Sequence, residues 1–160
     1  MFSVTIISVG KIKEKFFSLA IDEYKKRLGR YCNLEIIEVK DEPTPENPSQ
    51  REKELVLLKE GERISEKIPK GAVVVTLCIE GKQCSSEEFA NFFEDTAKSG
   101  NSKIVFIIGG SFGLSETVKK QSSKRLSFSE MTFPHQLMRV ILSEQIYRAF
   151  TIIEGKTYHK

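Results

Sequence analysis

Three stretches of this chain carry residues whose types and spacing could do chemistry. Gly109-Gly110-Ser111-Phe112-Gly113 puts three glycines where backbone can approach a ligand that a Cβ would block. The spacing is not G-x-G-x-x-G and no G-K-[ST] follows, so neither a dinucleotide fingerprint nor a phosphate loop is present. The loop does fit G-x-S-x-G, with Ser111 as the nucleophile of a serine hydrolase and Glu130 with His135 or His159 completing it. Against that stand a helix predicted to begin only at Ser115 and the lack of any aspartate after Asp95. A tight turn that holds no ligand is the other reading. The second stretch, LSFSEMTFPHQLMR from Leu126 to Arg139, holds His135, Arg139, hydroxyls and apolar side chains at a strand-to-helix junction. Gln136, Arg139 and Ser143 then recur at i, i+3 and i+7, and so form either a solvated polar face or a strip that meets phosphate. The third is the tail, Thr157-Tyr158-His159-Lys160. Termini are ordinarily disordered unless docked, so spacing alone makes it inert. Two histidines and three cysteines (Cys32, Cys78, Cys84) show no zinc-ligand spacing, and no metal centre is expected.

The elements that must position these stretches alternate between strands and helices. Phe2 to Val9 is rich in valine, isoleucine and threonine and ends at Gly10, which reads as a buried strand. Lys13 to Leu28 has apolar residues at helical spacing before Gly29. Leu34 to Val39 is a second strand, followed by a loop with Pro43, Pro45 and Pro48. Ser49 with Glu52 makes a capping box for a polar helix toward Lys67, in which Gly61 marks a bend or a close contact. Ala72 to Ile79 is a nearly continuous apolar run, the mark of a strand covered on both faces, and Glu80-Gly81-Lys82 turns the chain. Ser85 and Glu88 cap the next helix, whose core stripe is Phe89, Phe92 and Phe93. Lys103 to Ile108 is a strand leading into the glycine loop. Ser115 caps a short helix to Gln121, Arg125 to Phe128 is the last strand, and Pro134 opens the last helix, to Ile153. That helix is apolar over a wide arc, as in a deeply buried helix or one shared with a subunit interface. The pattern predicts an α/β fold with a mostly parallel sheet flanked by helices, in one domain over residues 1–160. Ligands in such sheets sit beyond the carboxyl ends of strands, which points to the loops after Ile79, Ile108 and Phe128.

Composition is that of an ordinary soluble protein, 39% hydrophobic and 29% charged. No apolar run reaches the roughly 20 residues of a membrane span, and the opening MFSVTIISVGK reads as a strand rather than a leader. Odd, unpaired cysteines fit buried thiols in a reducing cytosol, hence a cytoplasmic protein. The net charge of +3 is uneven. Lys11 to Arg30 and Thr117 to Lys160 are basic, and Asp41 to Glu66 is acidic. Basic ends could meet RNA phosphate or could simply be solvated helix faces.

GGSFGLS after a strand, then LSFSEMTFPHQLMR, EQIYRAF and a terminal YHK, in that order, resemble the RlmH-type ribosomal RNA methyltransferases of the SPOUT superfamily. The likeness runs from the opening strand and VGK to the last residue. It implies an α/β fold with a C-terminal trefoil knot and a homodimer packed through the knot and the last helix. It also implies S-adenosyl-L-methionine as methyl donor and N3 of a pseudouridine in 23S ribosomal RNA, within the assembled ribosome, as target. Carried over by motif, the donor pocket comprises Leu77, Gly109 and the run Phe128, Ser129, Glu130, Met131, Thr132 and Phe133. His135 or His159 would assist deprotonation, with Glu130 an outside candidate, Arg139 would stabilise charge on the base or bind phosphate, and Tyr158 would stack on a nucleotide. Lys160 stands where the family also has arginine, so a bidentate phosphate contact there is not implied. A non-catalytic RNA- or ribosome-binding protein with the same basic ends is the competing expectation.

Overall fold

The computed structural model describes residues 1–160. Five strands, β1 (Phe2–Val9), β2 (Cys32–Val39), β3 (Val73–Lys82), β4 (Lys103–Ile108) and β5 (Lys124–Leu126), form one sheet in the order β2-β1-β4-β3-β5, every pairing parallel. Parallel neighbours need crossovers, and the chain supplies a helix at each: α1 (Lys15–Leu28), α2 (Gln50–Lys67), α3 (Ser86–Lys98) and α4 (Glu116–Lys120), with α5 (His135–Ile153) closing the chain.

Strand alternation sorts the core into two layers. Val4 and Ile6 of β1 with Ile104, Phe106 and Ile108 of β4 face α1, α3 and α5, where they meet Leu28, Phe89, Phe93, Leu142 and Phe150. Ile7, Val9, Val105 and Ile107 face the other way, onto Ile64 of α2 and Val118 of α4. Helices α2 and α3 both start in capping boxes, Ser49 with Glu52 and Ser85 with Glu88, as the sequence predicts. Gly61 marks a close contact: a Cβ there would lie 2.9 Å from Ser115 Oγ and 3.1 Å from Val118 Cγ2. Cys32 packs as a small apolar residue, and burial pushes its thiol up to about 12.

Several boundaries differ from the sequence reading, and three of them bear on the site. Glu80-Gly81-Lys82 is no turn, because β3 continues to Lys82, and Leu126 pairs with both Leu77 and Lys82 across a register break. The last strand stops at Leu126 instead of Phe128, because its partner β3 ends at Lys82, whose carbonyl accepts a last bond from the Ser127 amide at 3.0 Å. Pro134 caps α5 rather than occupying its first turn. Its ψ of 133° is not helical, while its carbonyl accepts the first helical bond, from Met138, at 3.0 Å.

Candidate active site

The carboxyl ends of β3, β4 and β5 surround a cavity of about 380 Å³, within the ~300–1,000 Å³ typical of small-molecule sites. Leu77 and Ile79 close one side, the glycine loop lies beneath, and Phe128, Met131, Phe133 and Met138 add further apolar lining. The glycine loop is held shut on itself. Gly113 N–H donates to Gly110 C=O at 3.0 Å, the two residues form a β-bridge, and a Cβ on Gly109 would stand 2.4 Å from the Gly113 carbonyl oxygen. The facing loop is tied by its own hydroxyls, with Ser127 Oγ donating to Ser129 C=O at 3.1 Å and Ser129 Oγ accepting from Met131 N–H at 3.0 Å. Both walls are therefore set before any ligand arrives. An ion pair of Lys119 with Glu80 also borders the cavity, and it holds the Glu80 carboxyl below the usual carboxylate range.

Behind the glycine loop lies a second, mostly polar cavity of about 350 Å³, beyond the ends of β1, β2 and β4. The two cavities share Gly110, Ser111, Phe112 and His135. His135, the first residue of α5, abuts the β1 exit: a Cβ on Gly10 would lie 3.9 Å from its Nε2. Burial, then the Arg139 guanidinium, hold the His135 imidazole below its ordinary 6.5. It is therefore neutral near pH 7 and able to take a proton.

Arg139 corrects the phosphate-strip expectation. It is completely buried, its Nη1 donating to Glu38 Oε2 at 2.8 Å and its Nη2 to the carbonyls of Val9 and Gly10 at 3.0 and 2.9 Å, while its Nε has no partner. Ser143 is equally buried and donates back to the Arg139 carbonyl, and Gln136 Oε1 accepts from Lys13 N–H. The shared face is real, but it meets the carboxyl end of β1 instead of solvent. Arg139 thus has no exposed surface and ties the β1 exit to α5.

The hydrolase reading fails on geometry. α4 starts only at Glu116, the loop is a closed turn rather than a strand-to-helix elbow, and Ser111 is exposed without a histidine partner. Residues 2–159 match the family model described as "Predicted SPOUT methyltransferase". The chain belongs to that family. It is 56% identical to the ribosomal RNA large subunit methyltransferase H of Clostridioides difficile and 53% identical to that of Clostridium beijerinckii, each over 158 residues covering 99% of both chains. The protein solved in a study of 2-OH methylation of C/U34 on tRNA superposes with a TM-score of 0.53 at 14% identity, covering 97% of this chain and 99% of that one, a likeness of fold alone.

In this SPOUT chain Leu77, Gly109, Phe128, Ser129, Met131, Thr132, Phe133 and His135 all line the larger cavity, whereas Glu130 is exposed outside it. Sequence reasoning missed Cys78, Glu80, Lys119 and Met138, and it missed the second cavity altogether. The tail is docked, but elsewhere. Tyr158 donates to Glu144 at 3.1 Å beneath the Arg148 guanidinium, and His159 bonds Glu87 at 2.7 Å and Arg148 at 3.1 Å. Neither residue lines either cavity. Burial, then Glu144, push the Tyr158 phenol up to about 12, so it keeps its proton and is no base.

Proposed function

We propose that this protein methylates N3 of a pseudouridine in 23S ribosomal RNA on the assembled ribosome, with S-adenosyl-L-methionine as donor. The larger cavity carries the reading, since its position beyond the parallel strands and its apolar, glycine-floored shape suit that donor. The full-length likeness to large subunit methyltransferases supports the ribosomal target. We take residues 1–160 to act as a single domain with a C-terminal trefoil knot, in a cytoplasmic homodimer packed through α5. No helix is long and apolar enough to cross a membrane.

The residues fit the donor chemically. Backbone groups of the loops at Gly109 and at Phe128 to Phe133 would hold its polar ends, and Leu77, Phe128 and Phe133 would exclude water from its rings. When bound, S-adenosylmethionine supplies a methyl group on a positive sulfur, and the S–C bonding electrons remain on sulfur as the methyl leaves. Our chain's contribution is to hold N3 in line and to take its proton, so that the freed nitrogen lone pair forms the new N–CH₃ bond. His135 stands at the boundary of the two cavities and is neutral near pH 7, so the proton is assigned to it.

The sign of the pH dependence follows. The neutral imidazole is the working form, so kcat/KM falls as pH drops through a pKa lying below 6.5. A His135→Gln variant should lose at least ~100-fold and lose that acid limb. An acid limb with its midpoint above pH 7, or an unchanged profile in the variant, contradicts the assignment.

In its own chain the tail is tethered to Glu144, Arg148 and Glu87, so a role at the methyl-transfer site would have to be played in the other protomer. Deleting Tyr158 to Lys160 should leave donor affinity within about twofold and lower methylation at least ~100-fold. Mixing the truncated chain with His135→Gln should restore activity. Full methylation by the truncated chain would remove the tail from the chemistry. Titration calorimetry tests the reading as a whole: stoichiometric S-adenosylmethionine binding is expected, and none at millimolar ligand would leave a plain RNA-binding protein.

A further inference from the structure

In an open parallel sheet, ligands enter where neighbouring strands send their connections to opposite faces. Here that point lies between β1 and β4. β1 leads into α1 on one face, β4 leads into α4 on the other, and the two strands pair side by side. The polar cavity opens at that crevice, under Gly10 of the β1 exit and Gly110 of the glycine loop.

Its distinguishing group is Glu60 of α2, which is 5% exposed. Oε2 accepts the Glu42 amide at 3.0 Å, whereas Oε1 has no partner. That free oxygen lies beside Gly110, where an added Cβ would come within 3.3 Å of it. A buried carboxylate oxygen without a donor is costly, burial holds the Glu60 carboxyl above its ordinary range, and a ligand that supplies the donor offsets that cost. Two other groups complement it. Gln136 gives its Oε1 to Lys13 N–H and so keeps its NH₂ free to donate, and Lys11 and Lys13 are exposed at the cavity. The site thus offers one buried acceptor and one amide donor, with exposed Lys11 and Lys13 and the carboxylates of Asp41 and Glu42 also along its lining. His135 forms the shared wall toward the larger cavity.

We infer that this crevice receives the target base and that Glu60 is the specificity-determining residue, its Oε1 accepting the N1–H of pseudouridine. The inference rests on the function proposed above and adds how the base is chosen. Uracil attached through N1 has a single ring N–H, the one that must be methylated. Pseudouridine is attached through carbon and has two, at N1 and N3, flanking the C2 carbonyl. Glu60 on N1–H and His135 on N3–H address them from two sides of one ring, and the Gln136 NH₂ group is left for a ring carbonyl. Uridine presents a C–H to the carboxylate and leaves it unpaired. Lys11 and Lys13 meet the phosphates on either side of the base.

The test uses the full chain with ribosomes carrying pseudouridine, uridine or N1-methylpseudouridine at the target position. For the wild type, kcat/KM on uridine and on N1-methylpseudouridine should each fall at least ~100-fold below that on pseudouridine, because a site built around an N–H rejects a base without one. Glu60→Gln keeps an acceptor for the Glu42 amide. It should bind donor within about twofold of wild type, lose 10- to 100-fold on pseudouridine and approach its own uridine rate. Equal wild-type rates on all three ribosomes, or an unchanged pseudouridine preference in Glu60→Gln, would overturn the inference while leaving the methyltransferase reading in place. A wild type inactive on all three would overturn that reading, and the inference with it. The wild-type comparison across bases does not depend on the variant's folding.

Discussion

Gly109→Ala should abolish useful binding of the proposed donor, with S-adenosylmethionine affinity falling at least ~100-fold, about 2.7 kcal/mol, in calorimetry. The added Cβ would sit 2.4 Å from the Gly113 carbonyl oxygen, 2.5 Å from its carbon and 3.0 Å from its Cα. No flexible side chain is there to yield; the obstacle is backbone. That backbone is pinned by the Gly113 to Gly110 hydrogen bond and by Gly113 itself, at φ +80°. The loop must open, and it is the floor of the larger cavity. Gly100→Ala is the control. Gly100 has φ +83° with no neighbour within 4 Å, so alanine there costs roughly 1 kcal/mol of stability and leaves donor affinity unchanged. Equal donor affinity in Gly109→Ala and wild type would show that the floor is not part of the site.

Arg139→Met has the largest expected effect on stability, a loss of about 3 kcal/mol in urea denaturation. Breaking a buried ionic cluster typically costs ~3–5 kcal/mol, and the lower figure applies because the Glu38 side chain is 38% exposed and can rehydrate. The Val9 and Gly10 carbonyls lose the Nη2 donor they share at the β1 exit. Glu38 Oε2 also accepts from the Ile12 amide, so the cluster ties β1, β2 and α5 together below His135. The variant should lower Tm by roughly 6–12 °C and reduce methylation through a displaced β1 exit. A surface arginine that bound phosphate would behave oppositely, leaving Tm unchanged and weakening only RNA binding. A loss below 1 kcal/mol would contradict the clamp.

The sequence was most legible where local chemistry decides structure. The two capping boxes occur as read, and the glycine loop with Phe128 to Phe133, Glu130 excepted, lines one cavity. It was least legible where a side chain's role depends on what covers it. Helical spacing puts Gln136, Arg139 and Ser143 on one face, but cannot say that β1 closes over that face. Glu60 lies in a helix read only as polar, and was not singled out, for the same reason. The one local sign was its neighbour Gly61, since a glycine at roughly 1 kcal/mol cost in a helix announces a close approach there. Periodicity also carried the last strand two residues too far, because alternation continues through Phe128 while the partner strand ends at Lys82. The tail ran the other way: spacing made it inert, yet Glu144, Arg148 and Glu87 dock it.

The most direct measurement is incubation of the full chain with labelled S-adenosylmethionine and assembled ribosomes lacking the modification, followed by mapping of the labelled nucleotide. One methyl group on N3 of a single pseudouridine of 23S ribosomal RNA is predicted. No incorporation at saturating donor, or label on a different nucleotide, would contradict the account.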